Sequence, residues 1–203
     1  MVASSSLAPA TIQCHDQQII LLKMSKRKII LNLAISLDGY IAGEDGGFAW
    51  IHGDGDKSHD TEKQFNFTDF VSKIDILVMG RKYYEDVPLE TIEDFESKKL
   101  CVATSKKLTS EYENVEFFNG DICKKILDLK EDNGKNIWLF GGAGLTDHFV
   151  KANIVDEYII GIIPIILGEG RRLFLKNNPT IKLHLKECTV QKGITIIKYT
   201  KKP

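Results

Sequence analysis

Short runs of hydrophobic residues alternate along the chain with segments in which hydrophobic residues recur at helical spacing. The runs predict β-strands at residues 29–36, 74–79, 100–103, 115–118 and 137–140, and a further mostly apolar segment covers residues 154–163. Short apolar strands that alternate with helices are typical of a mainly parallel sheet covered on both faces. The pattern therefore predicts an α/β fold.

Helical spacing marks three segments. Residues 61–71 predict a helix with Asp60 or Ser58 as its N-cap, and residues 121–130 predict an amphipathic helix. After the strand at 137–140, Leu145, Phe149 and Ile154 are spaced to cover one face of a third helix. The tail, at residues 181–190 and 194–200, predicts an antiparallel hairpin that turns at Lys192-Gly193 and adds strands at one edge of the sheet.

Length and composition indicate one ordinary globular domain. The chain has 203 residues, 43% of them hydrophobic and 27% charged. We expect the domain to cover residues 24–203, because residues 1–23 resemble a disordered leader or extension and Met24 resembles a natural start. The 27 basic and 28 acidic residues give a net charge of −1. This balance argues against nucleic-acid or membrane binding through bulk charge, and no apolar run is long enough to span a bilayer.

Cysteine usage points to a reducing compartment. The four cysteines are scattered with no CxxC spacing, which makes a metal site or a disulfide framework an unlikely interpretation. Free thiols are the ordinary state in the cytosol. We therefore expect a cytoplasmic protein without a bound metal.

A glycine cluster directly follows the strand at residues 137–140. It reads Gly141-Gly142-Ala143-Gly144-Leu145 and leads into the third predicted helix. A turn of this kind exposes backbone N–H groups, and the helix N-terminus adds partial positive charge, so together they form a possible anion site. The alternative is a tight strand-to-helix turn that binds no ligand.

Two other strands end in residues suited to phosphate. One ends in Gly80-Arg81-Lys82 and the other in Thr104-Ser105-Lys106-Lys107. If these strands are parallel neighbours, their carboxyl ends lie on one edge of the sheet, where open α/β sheets bind ligands. The guanidinium group suits a phosphate, and the hydroxyl and lysine side chains suit an additional 2′-phosphate. The combination favours NADP(H) over NAD(H).

Several motifs, in this order and spacing, resemble those of one superfamily. They are Ser36-Leu37-Asp38-Gly39-Tyr40-Ile41-Ala42, Trp50-Ile51, Val78-Met79-Gly80-Arg81-Lys82-Tyr83-Tyr84-Glu85, Gly141-Gly142-Ala143-Gly144, and Pro164-Ile165-Ile166-Leu167-Gly168-Glu169-Gly170 with Leu173-Phe174. The set, from about Lys28 to Tyr199, resembles the dihydrofolate-reductase-like superfamily. More narrowly, it is similar to the reductase domain of the bacterial bifunctional riboflavin-biosynthesis deaminase-reductase and to the stand-alone relatives of that domain.

The resemblance implies a three-layer dihydrofolate-reductase-like fold and NADPH bound across the strand ends. The positions it assigns to the cofactor are Ile35, Gly80, Arg81, Lys82, Thr104, Ser105, Gly141, Gly142, Ala143, Gly144 and Leu145. It places Trp50 where nicotinamide meets substrate, in contact with both. The implied chemistry is hydride transfer, in which the protein supplies orientation and the cofactor supplies the reaction.

The sequence departs from the riboflavin enzyme at Phe140. That enzyme's reductase domain usually carries a glutamate just before the glycine loop, and it is fused to a zinc-dependent deaminase domain for which this chain has no room. A large apolar ring at a substrate-binding position argues against a ribosylamino-pyrimidine substrate. This difference indicates that the chain is more similar to the stand-alone relatives than to the riboflavin enzyme.

Candidate acids follow the tryptophan, where dihydrofolate reductases place an acidic residue. Asp54 and Asp56 could protonate a substrate, with His52 as a second candidate, although the segment also reads as a polar glycine loop. Asp38 is a third candidate for catalysis, but an Asp-Gly turn uses aspartate for backbone geometry alone. Arg171 could bind an anionic substrate group or lie on the surface.

These observations favour an NADPH-dependent reductase of a small heterocyclic substrate (pterin-like or pyrimidine-like) or of a carbonyl compound. The alternatives are the riboflavin-pathway 5-amino-6-(5-phosphoribosylamino)uracil reductase and a nucleotide-binding protein without catalysis. The stand-alone relatives suggest a homodimer, for which residues 154–167 or the final hairpin could supply a sheet edge.

Overall fold

The computed structural model of the protein describes residues 27–202. The predicted leader at residues 1–23 and the predicted start at Met24 lie outside the described residues. Within residues 27–202, no helix is long and apolar enough to cross a bilayer.

The strands form one large sheet and one small one. Their bounds are β1 Ile29–Ser36, β2 Tyr40–Ala42, β3 Ile74–Gly80, β4 Lys99–Ala103, β5 Val115–Phe118, β6 Asn136–Gly141, β7 Glu157–Ile163, β8 Arg171–Arg172, β9 Leu183–Gln191 and β10 Ile194–Lys201. The large sheet has the order β5-β4-β3-β6-β1-β7-β10-β9, and β2 pairs with β8 in the small one. The pairs from β5 to β7 are parallel, and β10 is antiparallel to both β7 and β9. The predicted mainly parallel sheet with a C-terminal antiparallel hairpin is therefore confirmed.

The helices cover both faces of the large sheet. They are α1 Phe67–Ser72, α2 Arg81–Asp86, α3 Ile122–Glu131 and α4 Ala143–Lys151, with short 3₁₀ helices at Leu89–Thr91 and Phe95–Ser97. Buried residues of α3 and α4 belong to one hydrophobic cluster. Buried residues of α1 and of both 3₁₀ helices belong to a second cluster, which shares the sheet with the first. This arrangement gives the three-layer fold that the resemblance implied.

The hairpin turn lies where the sequence predicts it. Lys192 has φ of 51° and Gly193 has φ of 80°. Two consecutive positive φ values are typical of the tight turns that suit the right-handed twist of paired strands. The turn sets the register in which Ile194 lies opposite Gln191.

The predicted helix at residues 61–71 is mostly wrong. Only α1 forms, and its N-cap is Asn66, whose side chain accepts a hydrogen bond from the Asp69 backbone N–H at 2.8 Å. Asp60 instead accepts a hydrogen bond from the Lys192 N–H at 2.6 Å. The Thr61 N–H donates to the carbonyl of Val190 at 3.0 Å. Contacts with a hairpin far along the chain therefore replace the helical bonds expected before Asn66.

The third predicted helix ends earlier than its pattern suggested. The helix α4 stops at Lys151, and Ile154 lies beyond it, with its N–H donating to the carbonyl of Phe149 at 3.2 Å. The expectation that residues 154–167 form a sheet edge is also wrong, because β7 lies between β1 and β10. At that end of the sheet the edge strand is β9.

Replacing Phe149 with alanine tests how far the α4 face supports the fold. Phe149 is 0% exposed in the cluster beneath α4. We expect Phe149→Ala to lower the free energy of unfolding by about 3–5 kcal/mol, because it removes buried apolar area and leaves a cavity. Urea denaturation measures this change. The neighbouring exposed position supplies the control, since His148→Ala should change stability by less than about 0.5 kcal/mol. Equal effects of the two variants would contradict the packing described.

Candidate active site

The carboxyl ends of β4, β3 and β6 lie side by side at one edge of the sheet. These strands are parallel neighbours, with Val78 of β3 opposite Cys101 of β4 and Leu139 of β6. The segments that follow these strands therefore begin at the same edge of the sheet. This confirms the prediction that the three strands are parallel neighbours whose carboxyl ends share an edge. These segments carry Arg81, Thr104 and the glycine loop.

The glycine loop leaves room for a ligand against its backbone. Gly141 has φ of 125° and Gly142 has φ of 71°, and a Cβ built on either residue or on Gly144 would meet no atom within 4 Å. The first hydrogen bond within α4 runs from the Thr146 N–H to the carbonyl of Gly142 at 2.9 Å. The N–H groups at the start of α4 therefore have no partner within the helix. Leu145 is buried in the core, so only its backbone is available to a cofactor.

Arg81 begins α2 at the end of β3. One of its guanidinium nitrogens, Nη1, donates to both carboxylate oxygens of Glu85 at 2.6 Å. This contact uses Nη1 and leaves the other guanidinium donors available to a phosphate. Lys82, the next residue, is exposed.

The end of β4 turns sharply. The hydroxyl of Thr104 accepts a hydrogen bond from the Lys106 N–H at 3.0 Å, and Ser105 is exposed. Thr104 is half-buried and Ser105 is exposed, and both lie at the same edge of the sheet as the glycine loop. Ile35, another predicted cofactor contact, differs from these residues because its side chain packs against the hydrophobic cluster beneath α3 and α4.

An apolar cavity of about 490 Å³ adjoins the glycine loop on the α1 side of the sheet. Strands of the large sheet supply its floor through Asn32, Ala34, Trp138, Phe140, Gly161, Ile163, Ile194 and Ile196. Side chains from the connections, from α1 and from α2 cover it, chiefly Phe48, Ile51, Phe65, Phe67, Tyr83, Asp86 and Val87. Gly141, Gly142 and Ala143 line the same cavity. The loop predicted to bind phosphate is thus also a wall of an apolar pocket.

Aromatic rings dominate the wall nearest the glycine loop. The ring centroid of Phe140 lies 4.3 Å from that of Trp138 and 5.2 Å from that of Tyr83, edge-on in the second case. Burial raises the pKa of the Tyr83 phenol. Phe140 therefore lies in the cavity and places an aromatic ring there instead of a carboxylate.

Of the other two predicted substrate contacts, Arg171 lines the cavity and Trp50 does not. Arg171 lines the cavity next to Gly46, and within residues 27–202 it forms no ion pair with a carboxylate. Trp50 does not line the cavity, and its indole N–H donates to the carbonyl of Gly47 at 3.2 Å. Its neighbours Phe48 and Ile51 do line the cavity.

The predicted catalytic acids Asp54 and Asp56 lie outside the cavity. Asp54 accepts a hydrogen bond from the Asp56 N–H at 2.9 Å and lies against Gly193 at the hairpin turn. Asp56 accepts from the backbone and the hydroxyl of Ser58, both at 2.8 Å, which lowers its pKa. Both carboxylates therefore take part in the geometry of the loop at residues 52–58.

Asp38 is also outside the cavity, and it joins the end of β1 to the segment at Leu167-Gly168. Its carboxylate accepts hydrogen bonds from the Ser36 hydroxyl at 2.6 Å, the Gly168 N–H at 2.8 Å and the Leu167 N–H at 3.1 Å. These bonds, with Ser36 first, lower the pKa of Asp38 to about 2. A carboxyl group with this pKa is ionised at neutral pH, so Asp38 acts as the acceptor for these N–H and O–H groups.

Sequence reasoning missed two polar residues that line the cavity. Asp86, at the end of α2, is the carboxylate among the lining residues, and Asn32 supplies an amide from within β1. The sequence held a signal for Asn32, since it is the polar residue in the run Ile29-Ile30-Leu31-Asn32-Leu33. Asp86 carried no comparable signal. In the described part of the chain, no group of three or more His, Cys, Asp or Glu side chains is placed to hold a metal ion.

Known structures share this architecture. The chain superposes on dihydrofolate reductase from Enterococcus faecalis with a TM-score of 0.60 at 17% identity, covering 88% of this chain and 98% of that one. It superposes on a protein assigned to riboflavin biosynthesis from Shewanella sp. PV-4 with a TM-score of 0.71 at 26% identity, covering 87% and 99%. The fold is therefore that of the dihydrofolate-reductase-like class.

Sequence comparison narrows the class to a family. The family model of the RibD C-terminal domain matches residues 27–93 and 84–196. The uncharacterized protein YwjB of Bacillus subtilis (strain 168) is 36% identical over 165 residues, which cover 79% of this chain and 90% of YwjB. The chain belongs to the RibD C-terminal domain family, and the predicted resemblance is confirmed.

The hydrogen bonds of Asp38 predict a pH-dependent effect on stability. Its folded pKa lies below the ordinary value of 3.8, so its stabilising effect is complete above that value and is lost as pH falls towards about 2. We therefore expect Asp38→Asn to lower the melting temperature at neutral pH, and the gap from wild type to narrow below about pH 4.

Thermal unfolding followed by circular dichroism across this pH range measures the gap. Ser36→Ala, which removes the strongest of the hydrogen bonds to Asp38, should reproduce part of the effect. A gap that stays constant from neutral to acidic pH would contradict the assignment.

Proposed function

We propose that the protein is an NADPH-dependent reductase that transfers hydride to a small heterocyclic substrate. One observation carries this proposal. The segment from Gly141 to Ala143 is at once the phosphate-suited loop at the carboxyl edge of the sheet and a wall of the apolar cavity. A dinucleotide laid along this edge can therefore place its phosphates on the backbone and its nicotinamide in the pocket.

The residues present fit the phosphates of such a cofactor. The space beside Gly141, Gly142 and Gly144 is open, and backbone N–H groups at the start of α4 lack partners within the helix. Arg81 stands at the neighbouring strand end with unused guanidinium donors. Thr104 and Ser105, followed by two lysines, supply hydroxyl and positive groups suited to a 2′-phosphate, which supports NADPH over NADH.

The comparisons support the same chemistry. The superposed Shewanella protein is assigned to riboflavin biosynthesis, and a deaminase/5-amino-6-(5-phosphoribosylamino)uracil reductase from Thermotoga maritima shares the fold. The dihydrofolate reductase that shares the fold was determined with NADP(H).

The chain's own residues would orient the substrate and exclude water. When bound, the nicotinamide supplies the hydride. The rings of Trp138, Phe140 and Tyr83 offer flat apolar surfaces against which a planar substrate can stack. Asp86 is the carboxylate placed at the cavity and is the candidate to hold the proton that accompanies reduction.

A second candidate is the riboflavin-pathway reductase of 5-amino-6-(5-phosphoribosylamino)uracil. Arg171 favours it, because its guanidinium group lines the cavity, has no carboxylate partner among residues 27–202, and can bind the substrate's phosphate. Phe140 argues against it, because an aromatic ring occupies the position where that enzyme usually carries a glutamate. The proposal of a general heterocycle reductase therefore comes first.

Binding and turnover measurements test the proposal. NADPH should raise the melting temperature and quench tryptophan fluorescence, since Trp138 lines the cavity. With pterins, dihydrofolate and ribosylamino-pyrimidines as substrates, the absorbance of NADPH should fall. Absence of NADPH binding overturns the cofactor assignment. Binding without turnover across these substrates would favour the non-catalytic nucleotide-binding protein.

Arg81 variants test the cofactor site. We expect Arg81→Ala to weaken NADPH binding by about 1.5–3 kcal/mol, the range for hydrogen bonds to charged groups. Arg81→Lys keeps the charge but loses the planar fork and should fall between alanine and wild type. Fluorescence titration gives the dissociation constants. Glu85→Gln is the matched control, since it removes the ion-pair partner and should leave NADPH affinity equal or tighter. An unchanged NADPH affinity in Arg81→Ala would show that Arg81 does not bind the cofactor.

Arg171 variants test the second candidate. If the substrate carries a phosphate, Arg171→Ala should raise KM for 5-amino-6-(5-phosphoribosylamino)uracil by about tenfold or more, while Arg171→Lys retains part of the affinity. The KM for the dephosphorylated analogue should not change. Steady-state kinetics with both compounds measures this difference. Failure of wild type to reduce either compound would exclude the riboflavin-pathway reaction.

A further inference from the structure

A second cavity, the amino-edge cavity, lies on the α1 side of the sheet at the amino ends of its parallel strands. Its volume is about 400 Å³, and its lining includes Lys28 just before β1, Asn136 at the start of β6 and Glu157 at the start of β7. The glycine loop follows the other end of β6, so the two cavities lie towards opposite ends of the strands. Phe65 and Ile196 line both cavities and form the wall between them.

The lining of the amino-edge cavity has an apolar part and a charged part. The apolar part comes from the sheet and from the segment around α1, through Ile30, Phe65, Phe70, Ile74, Ile159 and Ile196. The charged part consists of four lysines and three carboxylates, which are Lys28, Lys63, Lys73, Lys198, Asp69, Glu157 and Glu187. Each lysine contacts one of these carboxylates. The lining therefore carries one positive charge in excess.

A buried carboxylate holds two of the lysines in place. Glu157 is 3% exposed, and its Oε1 lies 2.8 Å from Nζ of Lys198 while its Oε2 lies 3.3 Å from Nζ of Lys28. A buried carboxylate needs partners of this kind, because its desolvation is costly. An ammonium group has three N–H donors, and in the described part of the chain Lys198 pairs with Glu157 alone. Lys198 therefore keeps N–H donors for a further acceptor.

Thr189 adds a hydroxyl group on the same wall. It is 5% exposed and lines the amino-edge cavity, and its hydroxyl forms no hydrogen bond with any group in residues 27–202. This hydroxyl is not among the fully enclosed polar atoms without a partner, so it is open to the cavity. Thr189 of β9 lies opposite Ile196 of β10, and Lys198 is the next residue of β10 on that face. The hydroxyl and the ammonium group are therefore diagonal neighbours.

We propose that the amino-edge cavity binds a small monocarboxylic acid with an apolar body. The carboxylate accepts hydrogen bonds from Lys198 and from the Thr189 hydroxyl, and its single negative charge balances the excess positive charge of the lining. The apolar body packs against Ile30, Phe70 and Ile159. This site is separate from the proposed reductase site and does not need NADPH.

The experiment compares two probes with the same apolar body, 3-phenylpropanoate and 3-phenylpropan-1-ol, on the full chain without cofactor. We expect wild type to bind the acid on the order of tenfold more tightly than the alcohol, as measured by isothermal titration calorimetry. Added sodium chloride should weaken binding of the acid and leave that of the alcohol unchanged, because salt screens partly exposed charges. Inorganic phosphate has no apolar body and should bind more weakly than the acid.

Two variants test the residues that bind the carboxylate. Thr189→Val nearly keeps the shape of the side chain, and we expect it to weaken binding of the acid on the order of tenfold. Its melting temperature should equal or exceed that of wild type, because the hydroxyl it removes has no partner within residues 27–202. Lys198→Gln should abolish the preference for the acid. This variant also takes a partner from Glu157 and should lower the melting temperature, whereas Thr189→Val leaves that ion pair intact.

Arg171→Ala is the control for binding in the other cavity, where the guanidinium group of Arg171 could attract the same acid. It should leave the affinity for 3-phenylpropanoate unchanged. The proposal would be overturned if wild type bound neither probe, bound acid and alcohol equally, or bound phosphate as tightly as the acid. Loss of acid binding in Arg171→Ala with unchanged affinity in Thr189→Val would place the acid in the other cavity. A lower melting temperature of Thr189→Val with unchanged affinity would assign the hydroxyl to the fold alone.

Discussion

The parallel pairing of β1, β3 and β6 is the constraint on which the site depends. Its register places Ile30 of β1 and Leu77 of β3 opposite Trp138 of β6. Side chains alternate between the faces of a strand, so a shift of β6 by one residue would turn Trp138 and Phe140 towards the opposite core. The same pairing brings the carboxyl ends of the strands to one edge. Trp138, Phe140 and the glycine loop are therefore positioned by a single set of backbone hydrogen bonds.

The strands and their end residues could be predicted because they depend on local signals. A continuous apolar run such as that of β3 is buried on both faces, and its end is marked by Gly80. Because Arg81 directly follows β3, its place at the carboxyl edge of the sheet follows from the parallel pairing of the strands. The hairpin could also be predicted from a local signal, because Lys192-Gly193 is a dipeptide that suits a tight turn with positive φ values.

The failures concern contacts that the local pattern does not contain. Phe67, Phe70 and Val71 have helical spacing and do form α1, but Thr61 binds Val190, 129 residues away in sequence. The catalytic roles given to Asp54 and Asp56 stay predictions, and the hydrogen bonds that these residues form lie inside their own loop. Asn32 could be seen as a polar exception in the sequence. That its Nδ2 has no hydrogen-bond partner within residues 27–202 depends on the neighbouring strands, which the local pattern does not contain.

The segment covering the cavity is held at both ends by other parts of the chain. Near its start, Gly46 lies against the guanidinium group of Arg171. At its far end, Thr61 and Val190 exchange hydrogen bonds, and Asp60 accepts one from Lys192. Phe48 and Ile51, which cover the pocket, lie between these attachments. The final hairpin is thus both part of the floor, through Ile194 and Ile196, and the anchor of the cover. Separating floor from cover would break hydrogen bonds at the hairpin turn. Residues far along the chain from the glycine loop would therefore limit how readily the cavity opens to solvent.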